Sequence, residues 1–149
     1  MYRKILIPLD GSIRAERILK HVENIALQNN AKVIFLQVIK PVLLTDGYMS
    51  LAIEESNKEY QDKFDESLQY LNSVAGEFRE KGLQTSRFVE TGSIVGTILA
   101  VAARENVDLI AMASHGRGGL SRVFYGSVAA GVLQGVDRPL LLIRSRFTD

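Results

Sequence analysis

The chain has no cysteine among its 149 residues. That excludes a disulfide framework and any thiolate-bound metal. No His-x-x-x-His or other paired-histidine spacing occurs, so a metal centre built from protein ligands is not indicated. Charge of one sign is also missing. Eighteen basic side chains against 17 acidic ones leave a net charge of +1, which gives no case for nucleic acid or an anionic membrane as partner. Long apolar runs are absent at the start. Met1 to Asp10 carries a charged pair and only a short apolar stretch, too short for a signal-peptide core or a membrane span, so the expected location is the cytoplasm. The phosphate-loop pattern GxxxxGK[ST] and the nucleophile-elbow pattern GxSxG are absent as well. The dinucleotide pattern GxGxxG is missed, because Ser121 stands where the third glycine should follow Gly116-Arg117-Gly118.

What is present is a regular alternation of buried strands and amphipathic helices. Hydrophobic residues make up 46% and charged residues 23%, ordinary for a globular domain, and the length fits one domain with a proper core. Lys4 to Leu9 reads as a buried parallel strand ended by Pro8 and Asp10-Gly11-Ser12. Ala15, Ile18, Leu19, Val22, Ile25 and Ala26 recur at helical spacing until Asn29-Asn30. Lys32 to Ile39 is a second buried strand, and Val42 to Ser50 reads as a connecting loop. A long helix follows, with Ile53, Asn57, Tyr60, Phe64, Leu68, Leu71, Ala75 and Phe78 on one face and Lys81-Gly82 as its stop. That stripe reads as core. Leu83 to Val89 is a third, more exposed strand. Thr91-Gly92-Ser93 is a turn and cap before a helix with Ile94, Val95, Ile98, Leu99 and Ala102 on its face. Val107 to Met112 is the fourth strand, Val128 to Val136 the fourth helix and Leu140 to Ile143 the fifth strand.

This pattern predicts a single-domain, doubly wound α/β fold, Rossmann-like, with five parallel strands and four helices. Ligands in such sheets bind beyond the carboxyl ends of the strands, where strand order reverses. The order 3-2-1-4-5 would put Asp10-Gly11-Ser12 and the loop after the fourth strand on the two sides of one crevice. That loop, Met112 to Ser127, holds four glycines and leads into a helix for which Ser127 is well placed as N-cap. A glycine-rich turn before a helix start is either a phosphate site or an ordinary capped loop, and both readings stand on these residues alone.

At this point the chain resembles the universal stress protein family, specifically its ATP-binding branch. That branch carries G-x2-G-x9-G-[ST] after the fourth strand. Here Ala113-Ser114-His115-Gly116 and, nine residues on, Gly126-Ser127 keep its second and third glycines and its hydroxyl, while Ala113 replaces the first glycine. Ile5 to Ser12, Val107 to Met112 and Arg138 to Ile143 resemble the family's opening, fourth and closing strands, so the likeness runs over the whole chain. The resemblance implies that Pro8, Leu9 and Asp10 line the adenosine end of a nucleotide site, with the Asp10 carboxylate at the adenine. It places Val38 at the base edge, and Met112, Ala113 and Gly116 at the ribose and first phosphate. Gly126, Ser127, Val128 and Ala129 would hold the phosphates through backbone N–H groups. Ala129 lacks a hydroxyl that some members carry there. Arg117 and Arg122 either reach the phosphates or are solvated. His115 is read as a loop residue beside the ligand, and His21 as an exposed helix residue.

The implied ligand is ATP, or ADP or AMP, with any Mg²⁺ held through the phosphates. The implied role is a nucleotide-dependent regulator in the stress response. The alternatives are a slow ATPase of the same fold and a dimeric scaffold that binds no nucleotide. No lysine and no carboxylate occurs between Ser114 and Gly135, which argues for slow hydrolysis at most. Pro139, Leu140, Leu141, Leu142, Ile143 and Arg144 would form an apolar edge strand, suited to pairing with the same strand of a second copy in a homodimer.

Overall fold

Neighbouring residues of a strand point to opposite faces, yet Leu6 and Ile7 are both fully buried. A strand apolar at every position has to lie inside a sheet covered on both sides. The structure, a computed structural model, describes residues 1–41, 49–115 and 126–145 and builds such a sheet. Along the chain come β1 (Lys4–Pro8), α1 (Ile13–Glu16), α2 (Leu19–Asn29), β2 (Lys32–Ile39), α3 (Met49–Glu80), β3 (Thr85–Thr91), α4 (Ile94–Arg104), β4 (Leu109–His115), α5 (Ser127–Gly135) and β5 (Leu140–Ser145). The strands form one parallel sheet in the order β3-β2-β1-β4-β5, as expected. Ile5, Ile7, Val33 and Phe35 face α2 and α3, where they meet Val22, Ala26, Leu71 and Phe78. Leu6, Ile34, Leu36 and Ile110 face α4 and α5, against Ile98, Val101, Ala129 and Val132. Phe35 and Phe78 meet edge to face at 5.1 Å, the favoured aromatic geometry.

Several boundaries differ from those read in the sequence. The first helical crossover is broken: the N–H groups of Arg17 and Ile18 reach back three residues, to the carbonyls of Arg14 and Ala15. This tighter turn separates α1 from α2 and leaves Ile18 fully buried. Met49 and Ser50 belong to α3 rather than to the preceding loop, and the rest of that loop lies outside the described residues. On α3, Leu71, Ala75 and Phe78 are buried as predicted, but Asn57 is exposed, and Ser67 and Val74 join the buried face. β3 begins at Thr85 because it pairs with β2 from Val33 to Ile39, so Thr91 ends the strand instead of starting the turn. β4 continues past Met112 to His115 because β5 offers partners that far, Arg144 for Ser114 and Ser145 for His115.

The amino ends of the central strands are tied together. The Asp108 carboxylate accepts the backbone N–H groups of Arg3 at 2.9 Å and Lys4 at 3.1 Å, joining β1 to the entry of β4. The Arg138 guanidinium donates to the carbonyls of Ala102 and Val107, both at 2.9 Å, joining the entry of β5 to the turn after α4. It also bonds Asp137 at 2.9 Å and holds that carboxyl below its ordinary range.

α4 and α5 cross closely. A Cβ on Gly131 would lie 2.7 Å from Cγ2 of Val95, a stiff branched side chain. Gly131→Ala gains about 1 kcal/mol of helix propensity and loses about 1–3 kcal/mol to overpacking. The expected outcome is a net loss of stability, read as a lower urea midpoint with an unchanged slope. A midpoint equal to or above the wild type would mean that α4 moves aside at no cost.

Candidate functional site

β1 and β4 pair only at Ile5 with Leu109 and Leu6 with Ile110. Beyond those residues each strand keeps its outer partner. β1 pairs with β2 up to Pro8 and Leu36, and the Leu9 N–H continues to the Leu36 carbonyl at 2.8 Å. β4 follows β5 to His115. The two central strands therefore part at their carboxyl ends, and a crevice opens there.

On the β1 side the backbone turns at once. Asp10 Oδ1 accepts the Ser12 N–H at 2.9 Å, and Ser12 Oγ accepts the Ala15 N–H at 3.1 Å as cap of α1. The turn-forming role of Asp10 uses one carboxylate oxygen. The residue is exposed at the rim of the crevice.

The crevice is a cavity with about 660 Å³ of empty space, part of it open to solvent. Pro8, Leu9 and Asp10 line it from the end of β1, Leu36 and Val38 from β2, and Met112, Ala113 and Ser114 from β4. Ile94 and Ile98 close it from α4, Val128 and Ala129 from α5, and Arg14 and Ala15 from α1. Leu36, Ile98, Met112 and Ala129 are buried, so the floor is largely apolar, with Ser114 buried beside them and Asp10 exposed at the rim. Such a site suits a ligand with a flat apolar body and polar ends.

Pro8, Leu9, Asp10, Val38, Met112, Ala113, Val128 and Ala129, all expected from the sequence, thus share one cavity. Gly126 and Ser127 stand at the start of α5, off the cavity wall. Gly116, Arg117 and Arg122 lie outside the described residues. The capping assignment needs correction. Gly126 is the N-cap, and Ser127 is the first helical residue, exposed. Gly126 has φ 80° and ψ 154°, a conformation almost confined to glycine, and as N-cap it brings no side chain to cap α5. The N-cap residue itself therefore leaves the first N–H groups of α5 without a side-chain partner. Arg14, Ala15, Leu36, Ile94, Ile98 and Ser114 were not foreseen. The apolar ones carry an ordinary core pattern in the sequence, and nothing in the pattern tells a packed core face from a cavity floor.

A second, more polar cavity opens on the opposite face of the sheet. Gln37, Ile39, Ser67 and Tyr70 line it, and it shares Asp10 and Val38 with the first. The Tyr70 hydroxyl is buried. Burial chiefly, and then the nearby Glu16 carboxylate with a contribution from Asp10, raise its pKa well above the ordinary 10.0. A tyrosine whose pKa is higher folded than unfolded contributes stability below the unfolded value and loses it as pH climbs above that value. Stability is therefore expected to fall as pH rises above about 10, and Tyr70→Phe to flatten that fall. Equal alkaline slopes for the two proteins in urea titrations would show that Tyr70 is not responsible.

Among the described residues, no cluster of histidine, aspartate and glutamate is placed to hold a metal, and no helix is long and apolar enough to cross a membrane. A profile of the universal stress protein family matches residues 1–144. The chain is 29% identical over 157 aligned positions to universal stress protein MJ0577 of Methanocaldococcus jannaschii, covering 98% of this chain and 97% of that one. It is 31% identical over 148 positions to universal stress protein MJ0531 of the same organism, covering 97% and 83%. The solved structure of MJ0577 superposes with a TM-score of 0.82 over 99% of both chains, at 29% identity. A universal stress protein from Archaeoglobus fulgidus, solved in complex with dAMP, superposes with a TM-score of 0.68 at 18% identity, over 95% of this chain and 98% of that one.

Proposed function

Since this chain belongs to the universal stress protein family, we propose that its crevice binds an adenine nucleotide, ATP or else ADP or AMP. The protein then acts as a cytoplasmic, nucleotide-dependent regulator of the stress response. The observation that carries this reading is the single cavity shared by the ends of β1, β2 and β4 and the start of α5. Its apolar floor, Leu36, Ile98 and Met112, suits the faces of a purine. Val38 offers backbone groups to the base edge, and the Asp10 carboxylate oxygen outside the local turn suits an exocyclic amine. The first N–H groups of α5 and its dipole suit phosphates, close to Val128 and Ala129. Gly116, Arg117 and Ser127 would complete that end. Ala113 lines the cavity where the related pattern has glycine. The dAMP complex of an A. fulgidus protein with the same fold is in keeping with an adenine ligand. Any Mg²⁺ is held through the phosphates, since the segment from Ser114 to Gly135 has no carboxylate.

Titration calorimetry tests the site. Wild-type protein is expected to bind ATP. Gly126→Val should abolish that binding, because a branched side chain cannot adopt the backbone of Gly126 and would stand in phosphate space. Unchanged affinity with an intact fold would remove the site from this crevice. Hydrolysis is expected to stay well below about 1 s⁻¹, the lower end of ordinary enzyme turnover, and a faster rate in preparations free of contaminating ATPase would favour the enzyme reading.

The same reading includes a homodimer through β5. β5 lies at one edge of the sheet, with Leu140, Leu141, Leu142 and Ile143 only half-buried and Pro139 and Arg144 exposed at its ends. An apolar edge with unpaired backbone groups is normally covered. Light scattering is expected to report about twice the 16.5 kDa chain mass. Leu141→Lys should shift the mass towards a monomer with helix content retained. Wild-type protein monomeric at high micromolar concentration would reject this interface.

A further inference from the structure

The crevice carries little charge of its own. Among the described residues that line it, only Asp10 and Arg14 are charged, one of each sign. Asp10 is committed to its turn and, in the reading above, to the base. The cation comes from α1, an element outside the glycine-rich stretch after β4.

α1 holds the Arg14 backbone from both sides. Ser12 Oγ accepts the Ala15 N–H at 3.1 Å at its start, and the Arg14 carbonyl accepts the Arg17 N–H at 3.3 Å behind it. Ile18 is then fully buried and anchors the exit of the turn. The side chains of α1 divide accordingly. Ile13 is 78% exposed, whereas Arg14 is half-buried and lines the crevice with Ala15. α1 lies against β4. Arg14 is thereby on the β4 side of the crevice, where Met112 and Ala113 end their strand. β2, with Val38 at the base edge, stands on the other side of β1.

Phosphates need a positive field, and a nucleoside does not. The start of α5 supplies roughly half a charge through its dipole, too little to offset a triphosphate. A guanidinium is a full and permanent charge, and its planar fork matches phosphate oxygens. Arg14 has partners within the chain, and its several N–H donors allow a phosphate to join them. The pattern G-x2-G-x9-G-[ST] lies wholly after the start of β4, so the resemblance assigns Arg14 nothing.

We propose that Arg14 is a specificity-determining residue of this crevice, its guanidinium meeting the phosphate chain from the α1 wall and favouring nucleotides with more phosphates. The proposal rests on the nucleotide reading given above.

The test is calorimetric titration of the wild type, Arg14→Gln and Arg14→Lys with adenosine, AMP and ATP at low and high salt, with urea unfolding to check the fold. Arg14→Gln is expected to weaken ATP about ten- to hundred-fold, the scale of a charged hydrogen bond, AMP less, and adenosine by less than about two-fold. Arg14→Lys keeps the charge and should recover part of the ATP affinity. The wild-type preference for ATP over AMP should shrink in salt more than that of Arg14→Gln. An equal loss for adenosine and ATP would overturn the proposal, because Arg14 would then act on the nucleoside or on the fold. Unchanged ATP affinity in Arg14→Gln would overturn it while leaving the nucleotide site intact. A wild type that binds none of the three would overturn the nucleotide reading and this proposal together.

Discussion

The structure depends on the parting of β1 and β4. Both strands are central, both are apolar on two faces, and they share only the pairs Ile5–Leu109 and Leu6–Ile110. After that, β1 is held by β2 and β4 by β5, on opposite sides. Because parallel crossovers are right-handed, the chain runs over one face of the sheet after β1 and over the other after β4. The connections leave the two strand ends in opposite directions, and among the described residues no segment fills the gap between them. Asp108 and the Arg138 clamp join the same neighbourhood at its amino end, so the sheet is closed at one end and open at the other.

The open end is lined by elements that each do structural work with the atoms they bring. Asp10 forms its turn with one oxygen and presents a carboxylate at the rim. Ser12 caps α1, which places Arg14 and Ala15 on the wall. Gly126 begins α5 in a backbone conformation that suits glycine and brings no side chain to its cap. The close α4–α5 crossing at Gly131 sets Ile98, Val128 and Ala129 against the ends of β2 and β4. The result is an apolar slot with a carboxylate at one end and a helix start at the other. That distribution matches a purine nucleotide better than it matches a substrate needing acid–base catalysis, for which the described wall offers Asp10 as its sole carboxylate.

Much of this was legible in the sequence. Two-sided apolar runs at Ile5 to Leu9 and Val33 to Ile39 can only be central parallel strands, and the alternation with helices determines the class of fold. Pro8, Asp10, Val38, Met112 and Val128 were placed by the resemblance to the universal stress protein family, carried over position by position. The rest depends on partners distant in the chain. β4 reaches His115 because of β5, and β3 starts at Thr85 because of β2; neither register is visible locally. Ser127 looked like the cap because hydroxyls favour that position, but the backbone needed positive φ one residue earlier, and glycine supplied it. Ile94 and Ile98 look like any helix stripe until the sheet behind them opens.

We propose the gap between β1 and β4 as an adenine-nucleotide site. A crystal structure grown with millimolar ATP tests it most directly. A purine is expected between Asp10 and Val38 above Ile98 and Met112, with its phosphates directed to the start of α5. Density for the nucleotide elsewhere, or an unfilled crevice under those conditions, would contradict it.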